Sequence, residues 1–63
     1  MADYDVEIAT PKGVRTYEFR GVNTACDAQF GGIAKAEQEY GKPSEVVKMW
    51  RVGVGGRVQI GGR

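Results

Sequence analysis

The residue types that carry most enzyme chemistry are sparse in this chain. Its 63 residues include no histidine and a single cysteine, Cys26. The Ser–His and Cys–His pairs of nucleophilic catalysis therefore cannot form, and neither can an intramolecular disulfide or a typical zinc site. Cys26 falls in the first turns of a predicted helix, a placement typical of reactive cysteines. Because it also falls on the apolar side of that helix, we expect a small core residue.

The carboxylates and the glycine-rich segments do not form a catalytic pattern either. Glu37 and Glu39 are two residues apart on the predicted helix, so their side chains do not face each other. Asp5 and Glu7 share a strand face, where solvated carboxylates are common. The two C-terminal glycine-rich segments lack the Gly-Lys-Ser/Thr ending of a phosphate-binding loop. We therefore predict that the chain is not an enzyme and uses no cofactor and no metal.

Side chains suited to binding are concentrated in the segment VVKMWRV. Its alternation allows two parities. We favour the one that turns Val47 and Met49 toward the core, because that face has no lysine at its middle. The other parity, which buries Trp50, stays open, and so does a covering of Trp50 by residues 57–60.

The favoured parity places Trp50 on an open sheet face beside a lysine. A half-exposed tryptophan among basic residues is typical of an interface hot spot and also of a platform on which nucleic-acid bases stack. We predict that Trp50 is the apolar anchor of a partner-binding site. Three residues are predicted to supply its charged contacts: Lys48, Arg51 and Arg20.

The charge of the chain is nearly balanced. Nine Lys and Arg stand against eight Asp and Glu, a formal net charge of +1, whereas proteins that bind DNA usually concentrate positive charge. No apolar run approaches the ~18 residues of a membrane span, and the N-terminus lacks the apolar region of a signal peptide. The single cysteine suits a reducing compartment. We expect a cytoplasmic protein with no membrane partner.

Two alternating segments predict an N-terminal β-hairpin. YDVEIA and RTYEFR each place apolar side chains on one face and polar ones on the other, the period of a half-buried strand. The intervening TPKG carries proline and glycine at positions typical of a tight turn. The hairpin supplies one apolar face for a core.

A helix over about residues 24–40 is predicted to follow. Thr24 can cap its N-terminus, with Asp27 three residues later. Gly41 fits the position after the last turn, and Pro43 prevents continuation.

The helix carries two candidate packing faces. At about 100° per residue, Cys26, Phe30, Ile33 and Tyr40 fall on one line, which we predict to be the core stripe. A row of small residues lies along one flank: Ala28, Gly32 and Ala36. Close crossing of a strand is the simplest explanation of this row, and docking of a partner's backbone is the alternative. The adjacent Gly31 is predicted to point to solvent.

The C-terminal third predicts a strand at EVVKMWRV, a flexible turn, and a possible short fourth strand at RVQI. Residues 61–63 are expected to be a frayed tail. Residues 1–63 are therefore predicted to form a single α+β domain with the order β-β-α-β. Whether a fourth strand follows stays open. A small antiparallel sheet packs one helix on one face.

This layout resembles small phage-encoded inhibitors of host machinery, namely the phage inhibitor of bacterial RNA polymerase and small anti-CRISPR proteins. The likeness lies in the order and length of the elements, and no functional residue is carried over by it. Members of these groups bind large protein–nucleic acid complexes and block them without doing chemistry. The resemblance implies a viral protein of host takeover that acts by protein–protein interaction on a CRISPR effector or RNA polymerase. Its place of action is then the cytoplasm of the bacterial host. The segments that carry the likeness are YDVEIA, RTYEFRGVNTACDA, AKAEQEYG and EVVKMWRV.

Two other functions stay open. A direct DNA- or RNA-binding module would use the same open sheet face together with the Gly-Arg tail. A small structural or assembly protein of a phage would use the row of small helix residues for self-association.

Overall fold

The computed structural model describes residues 1–62, which form four antiparallel strands and one helix. The strands make one open sheet in the order β2-β1-β3-β4, so that β1 is internal and β2 and β4 are the edges. The predicted α+β class is confirmed, and the fourth strand is present. The elements are β1 (Ala2–Thr10), β2 (Gly13–Val22), α1 (Ala25–Tyr40), β3 (Glu45–Gly53) and β4 (Gly56–Gly62).

The first hairpin closes through a two-residue loop whose backbone groups are satisfied locally. The Thr10 hydroxyl donates to the Gly13 carbonyl at 2.6 Å and accepts from the Lys12 N–H at 3.2 Å. Gly13 has φ +111°, a conformation that glycine adopts without steric cost. This turn holds the register in which Val6 lies opposite Tyr17.

The helix ends where the capping signals predict. The Thr24 hydroxyl accepts a hydrogen bond from the Asp27 N–H at 3.1 Å. At the other end the Gly41 N–H donates to the Glu37 carbonyl at 2.9 Å, and Gly41 has φ +88°. Both ends are therefore set by local side-chain and glycine chemistry rather than by packing alone.

Replacing Thr24 by alanine is expected to lower the free energy of unfolding by about 1 kcal/mol, because it removes the hydroxyl acceptor at the helix start. Thr24→Ser keeps the acceptor and serves as the control. Urea unfolding followed by circular dichroism measures both variants. Equal losses in the two would contradict a capping role for the hydroxyl.

The helix lies on the sheet through its small residues, not through the predicted stripe. Cys26 is exposed and Phe30 is 65% exposed, so the prediction that they belong to the core is wrong. A Cβ atom built on Gly32 would lie 3.3 Å from Val6 Cγ1 and 3.4 Å from Ile8 Cδ1. Small side chains let the helix approach the sheet closely. The face that is buried therefore lies roughly 100° around the helix axis from the predicted stripe, which is the angle between successive residues. Its buried residues are Ala28, Gly32 and Ala36.

The flanks of the helix carry the larger side chains. A Cβ atom on Gly31 would lie only 3.0 Å from Phe19 Cε1. Gly31 therefore faces β2, and the prediction that it points to solvent is wrong. Ile33 packs against the core from the opposite flank. Tyr40 is half-buried, with the Arg15 guanidinium 5.1 Å from its ring centroid. Both glycines thus mark close contacts between helix and sheet.

The core is centred on β1. Val6 and Ile8 are fully buried, and Tyr4 and Met49 are nearly so. Within residues 1–62, α1 packs mainly on β1, with β2 and β3 at its sides, and makes no comparable contact with β4. The helix therefore covers one side of the sheet incompletely and leaves the other side open.

Strand β4 extends further than the predicted segment RVQI. Gly61 and Gly62, expected to be frayed, pair with Met49 and Lys48 as the last residues of β4. Residue 63 lies outside the described residues.

Candidate interaction surface

The pairing of β3 with β1 decides which β3 side chains reach the open face. Met49 lies opposite Val6 and is buried, whereas Trp50 lies opposite Asp5 and is half-buried. Residues directly opposite in antiparallel strands share a face. The inward placement of Met49 and the placement of Trp50 on the face away from the helix are therefore confirmed.

The same pairing corrects the prediction for Val47. An irregularity between Glu7 and Ile8 brings Val46 opposite Ile8, and Val46 is the residue that packs against the core. The extra residue on β3 shifts the alternation at that point. Val47 is therefore not the inward partner of Met49.

The centre of the open face is the carboxylate of Asp5, which lies between two arginines. Its Oδ1 is 3.3 Å from Arg20 Nη1, and its Oδ2 is 3.2 Å from Arg57 Nη1. The Asp5 side chain is only 12% exposed. A carboxylate that is mostly removed from water needs such partners, and it receives them from both edge strands.

Arg57 reaches Asp5 by crossing over Trp50. Its guanidinium carbon lies 3.9 Å from the centroid of the indole ring, a close cation–π contact. One face of the indole is therefore covered by a guanidinium. The open possibility that residues 57–60 cover Trp50 holds in part, through Arg57. A partner would meet a Trp50–Arg57 pair rather than a bare indole.

Arg20 is held in place by several acceptors. Besides Asp5, its Nη1 donates to the Tyr4 carbonyl at 3.2 Å, and its Nη2 lies 3.4 Å from Glu18 Oε1. Arg20 and Trp50 lie on opposite sides of Asp5, because β1 separates β2 from β3. The structure thus brings Arg20 into the same face as Trp50 but not into contact with it.

Of the other two predicted contacts, one shares this face and one does not. Lys48 lies opposite Glu7 on the open face. Arg51 lies opposite Tyr4, a core residue, so Arg51 is on the helix side of the sheet. Arg51 therefore does not belong with Trp50. The open-face cluster, as we use the term below, consists of Asp5, Arg20, Lys48, Trp50 and Arg57.

Arg57 and Asp5 were missed as site residues. The signal for Arg57 is the glycine-rich turn, since a two-residue loop pairs Gly53 with Gly56 and brings Arg57 opposite Val52. A long side chain at that position is diagonal to Trp50 on the same face. For Asp5 the signal is its place on the internal strand, between two strands that carry arginine.

The open-face cluster has hydrogen-bond donors that a partner could use. The side chains of Arg20 and Arg57 are each nearly half exposed. An arginine has five N–H donors, so donors remain for acceptors on a partner. Glu7 and Glu18 lie beside the cations, opposite Lys48 and next to Arg20. The face therefore presents a mixed pattern of charges around one aromatic ring.

One phenol on the helix side has a perturbed pKa. Partial burial raises the pKa of Tyr17, and the neighbouring carboxylate of Glu39 raises it further. The Tyr17 hydroxyl donates a long hydrogen bond of 3.5 Å to Glu39 Oε2. The contact joins β2 to the last turns of α1 and lies on the opposite side of the sheet from the open-face cluster.

No protein-family model, no curated protein and no solved structure matches this chain. Among the described residues, no helix is both long enough and apolar enough to cross a membrane. The resemblance to phage inhibitors of host machinery stays a prediction, which rests on the order and length of the elements.

Proposed function

We propose that this protein is a non-enzymatic inhibitor that binds a macromolecular partner through the open face of its sheet. The observation that carries the proposal is the open-face cluster. In it Asp5 holds two arginines in place, and one of them is stacked on Trp50. The helix packs on the other face, so that this arrangement is accessible as a whole.

The composition and the order of the cluster both suit a binding hot spot. Tryptophan and arginine are among the residues most enriched in hot spots. Side chains that are already held lose less conformational freedom when a partner docks. The contacts of Arg57 to Trp50 and Asp5 provide such pre-organisation, which supports binding as the role of this face.

The partner that we propose is a bacterial protein–nucleic acid complex, with a CRISPR effector or RNA polymerase as the candidates. The support is the resemblance in element order to phage or mobile-element inhibitors of the anti-CRISPR type. The mixed charges of the open face add to it, because carboxylates at Asp5, Glu7 and Glu18 repel phosphates. That pattern favours a protein surface on the complex over bare nucleic acid.

Replacing Trp50 by alanine tests the proposal. After a pull-down from bacterial lysate identifies a partner, the variant is expected to lose at least about 2 kcal/mol of binding free energy, roughly 30-fold in Kd. Phe30→Ala is the matched control, since it removes an exposed aromatic ring from the other side of the molecule. Titration calorimetry or surface plasmon resonance gives both affinities.

Two results would overturn the proposal. One is an unchanged affinity of the Trp50 variant when circular dichroism shows an intact fold. The other is tight binding of the wild type to bare oligonucleotides that falls steeply with salt. The second result would instead support a direct nucleic-acid-binding module.

A further inference from the structure

The fourth strand is attached to the rest of the molecule differently from the other three. β4 is an edge strand whose backbone lies next to β3 alone within residues 1–62, whereas the helix packs on β1, β2 and β3. No side chain of residues 56–62 belongs to the buried core or packs against it. Val58 and Ile60, the two large apolar side chains of β4, are 68% and 48% exposed. Burial of apolar surface therefore contributes little to holding β4 in place.

The sequence of β4 also weakens its pairing with β3. Three of its seven residues are glycines, and glycine loses more conformational freedom than any other residue when it is ordered in a strand. The register is interrupted between Met49 and Trp50, so that Ile60 is an extra residue with none opposite it. The regular part of the ladder therefore covers only residues 56–59 of β4.

One side chain of β4, that of Arg57, reaches across β3 to the internal strand. Its Nη1 lies 3.2 Å from Asp5 Oδ2 on β1, and its guanidinium carbon lies 3.9 Å from the ring centroid of Trp50 on β3. Arg57 lies opposite Val52, inside the regular part of the ladder. The contacts that Arg57 makes in the open-face cluster therefore exist only while this part of β4 is paired with β3.

We propose that β4 is a strap that separates from β3 while β1, β2, β3 and α1 stay folded, and that its closing assembles the open-face cluster. Segments with few buried apolar contacts open at a lower free energy than the core, and residues 56–62 contribute no side chain to the core. When the strap opens, Arg57 leaves both Asp5 and Trp50. Arg20 stays on Asp5, because β2 carries it. The open form presents the indole of Trp50 without its guanidinium.

The consequence for binding rests on the function proposed above. A partner that recognises the Trp50–Arg57 pair binds the closed form, so its apparent affinity falls in proportion to the closed fraction. Opening and closing of β4 would therefore regulate the open-face cluster without unfolding the domain. The strap can be measured on the chain alone, so its failure and the failure of the proposed function are separate results.

Two neighbouring amides of β3 distinguish opening of the strap from unfolding of the domain. Along a strand with antiparallel neighbours on both sides, successive N–H groups point alternately to one neighbour and to the other. The two-residue loop pairs Gly53 with Gly56, and the residues that close such a loop are hydrogen-bonded to each other. Counting back from Gly53, the Arg51 N–H points to β4 and the Trp50 N–H points to β1. Opening of the strap therefore frees the Arg51 amide and leaves the Trp50 amide protected.

Native-state hydrogen exchange followed by NMR tests the proposal on the wild-type chain. We expect the protection factor of the Arg51 amide to be at least about tenfold lower than that of the Trp50 amide. We also expect urea to accelerate exchange at Arg51 much less than exchange at Trp50, because opening of the strap exposes less surface than unfolding of the domain.

Arg57→Ala removes the contacts of the strap with Asp5 and Trp50 and is expected to lower the protection factor of the Arg51 amide about threefold or more. Arg15→Ala is the matched control, since Arg15 is an arginine of the other edge strand that also lies over an aromatic ring. Because Arg15 makes the same contacts whether the strap is open or closed, its variant is expected to leave the protection factor of the Arg51 amide unchanged.

The helix-cap variant Thr24→Ala supplies the opposite case. It weakens the open and the closed form equally, so it is expected to lower the protection factor of the Trp50 amide about fivefold and not that of the Arg51 amide. Equal protection factors with equal urea dependence at the two amides would overturn the proposal, because β4 would then open only with the whole domain. So would equal effects of Arg57→Ala and Arg15→Ala on the Arg51 amide.

Discussion

Replacing Gly32 by leucine is expected to remove a large part of the stability of the protein. A Cβ atom at this position would already lie 3.3 Å from Val6 Cγ1 and 3.4 Å from Ile8 Cδ1. Both neighbours are fully buried on the internal strand and have no room to move aside. Overpacking costs about 1–3 kcal/mol and sometimes more, and single cores of this size supply only about 3–5 kcal/mol.

Circular dichroism and urea unfolding of the Gly32 variant measure this effect. Gln38→Leu is the control, because it adds leucine to an exposed position of the same helix. It is expected to change the free energy of unfolding by less than about 0.5 kcal/mol. A Gly32→Leu protein as stable as the wild type would mean that the helix does not approach the sheet this closely.

The sequence predicts the strands and the helix ends well, because those features depend on local chemistry. The period of two in β1 and β2, the Thr24 cap and the glycine at 41 all act within a few residues. Which face of the helix is buried is a different matter. Hydrophobicity predicts that the stripe with Phe30 is buried. In the structure the buried face is instead the one whose small side chains allow the closest approach to the sheet.

The two adjacent glycines show why that choice could not be read from hydrophobicity. Each costs a helix interior about 0.5–1 kcal/mol relative to alanine, and this cost identifies them as unusual without saying what they face. In the structure Gly31 admits the ring of Phe19, and Gly32 admits Val6 and Ile8. Only the position of the sheet shows that both glycines face it.

The site was predictable in part for a similar reason. The side of Trp50 follows from the preference against a buried lysine, a local argument that the structure bears out. The same alternation places Arg51 on the opposite side from Trp50, so the prediction that Arg51 contacts the partner beside Trp50 was wrong. The contact of Arg57 with Trp50 and Asp5 needs the fourth strand and its register, which are tertiary features. The irregularity in β3 that turns Val46 instead of Val47 toward the core has no signal in the sequence.

Replacing Asp5 by alanine is expected to lower the free energy of unfolding by about 2 kcal/mol, because it removes the shared partner of two arginines. Loss of one partner of a fully buried ion pair costs about 3–5 kcal/mol. Here Arg20 and Arg57 are nearly half exposed, so water compensates part of the loss. Without the carboxylate, two like charges also remain near each other on the face.

The fluorescence emission of Trp50 shows whether the open-face cluster is disturbed in the Asp5 variant. Trp50 is the single tryptophan of the chain, and Arg57 is stacked on it, so release of Arg57 is expected to change the emission of the folded protein. Glu7→Ala is the matched control, since Glu7 is a carboxylate on the same strand face that forms no ion pair within residues 1–62. If the two variants matched in stability and emission, Asp5 would not organise the cluster. A binding loss in the Asp5 variant would then need direct contact with the partner to explain it.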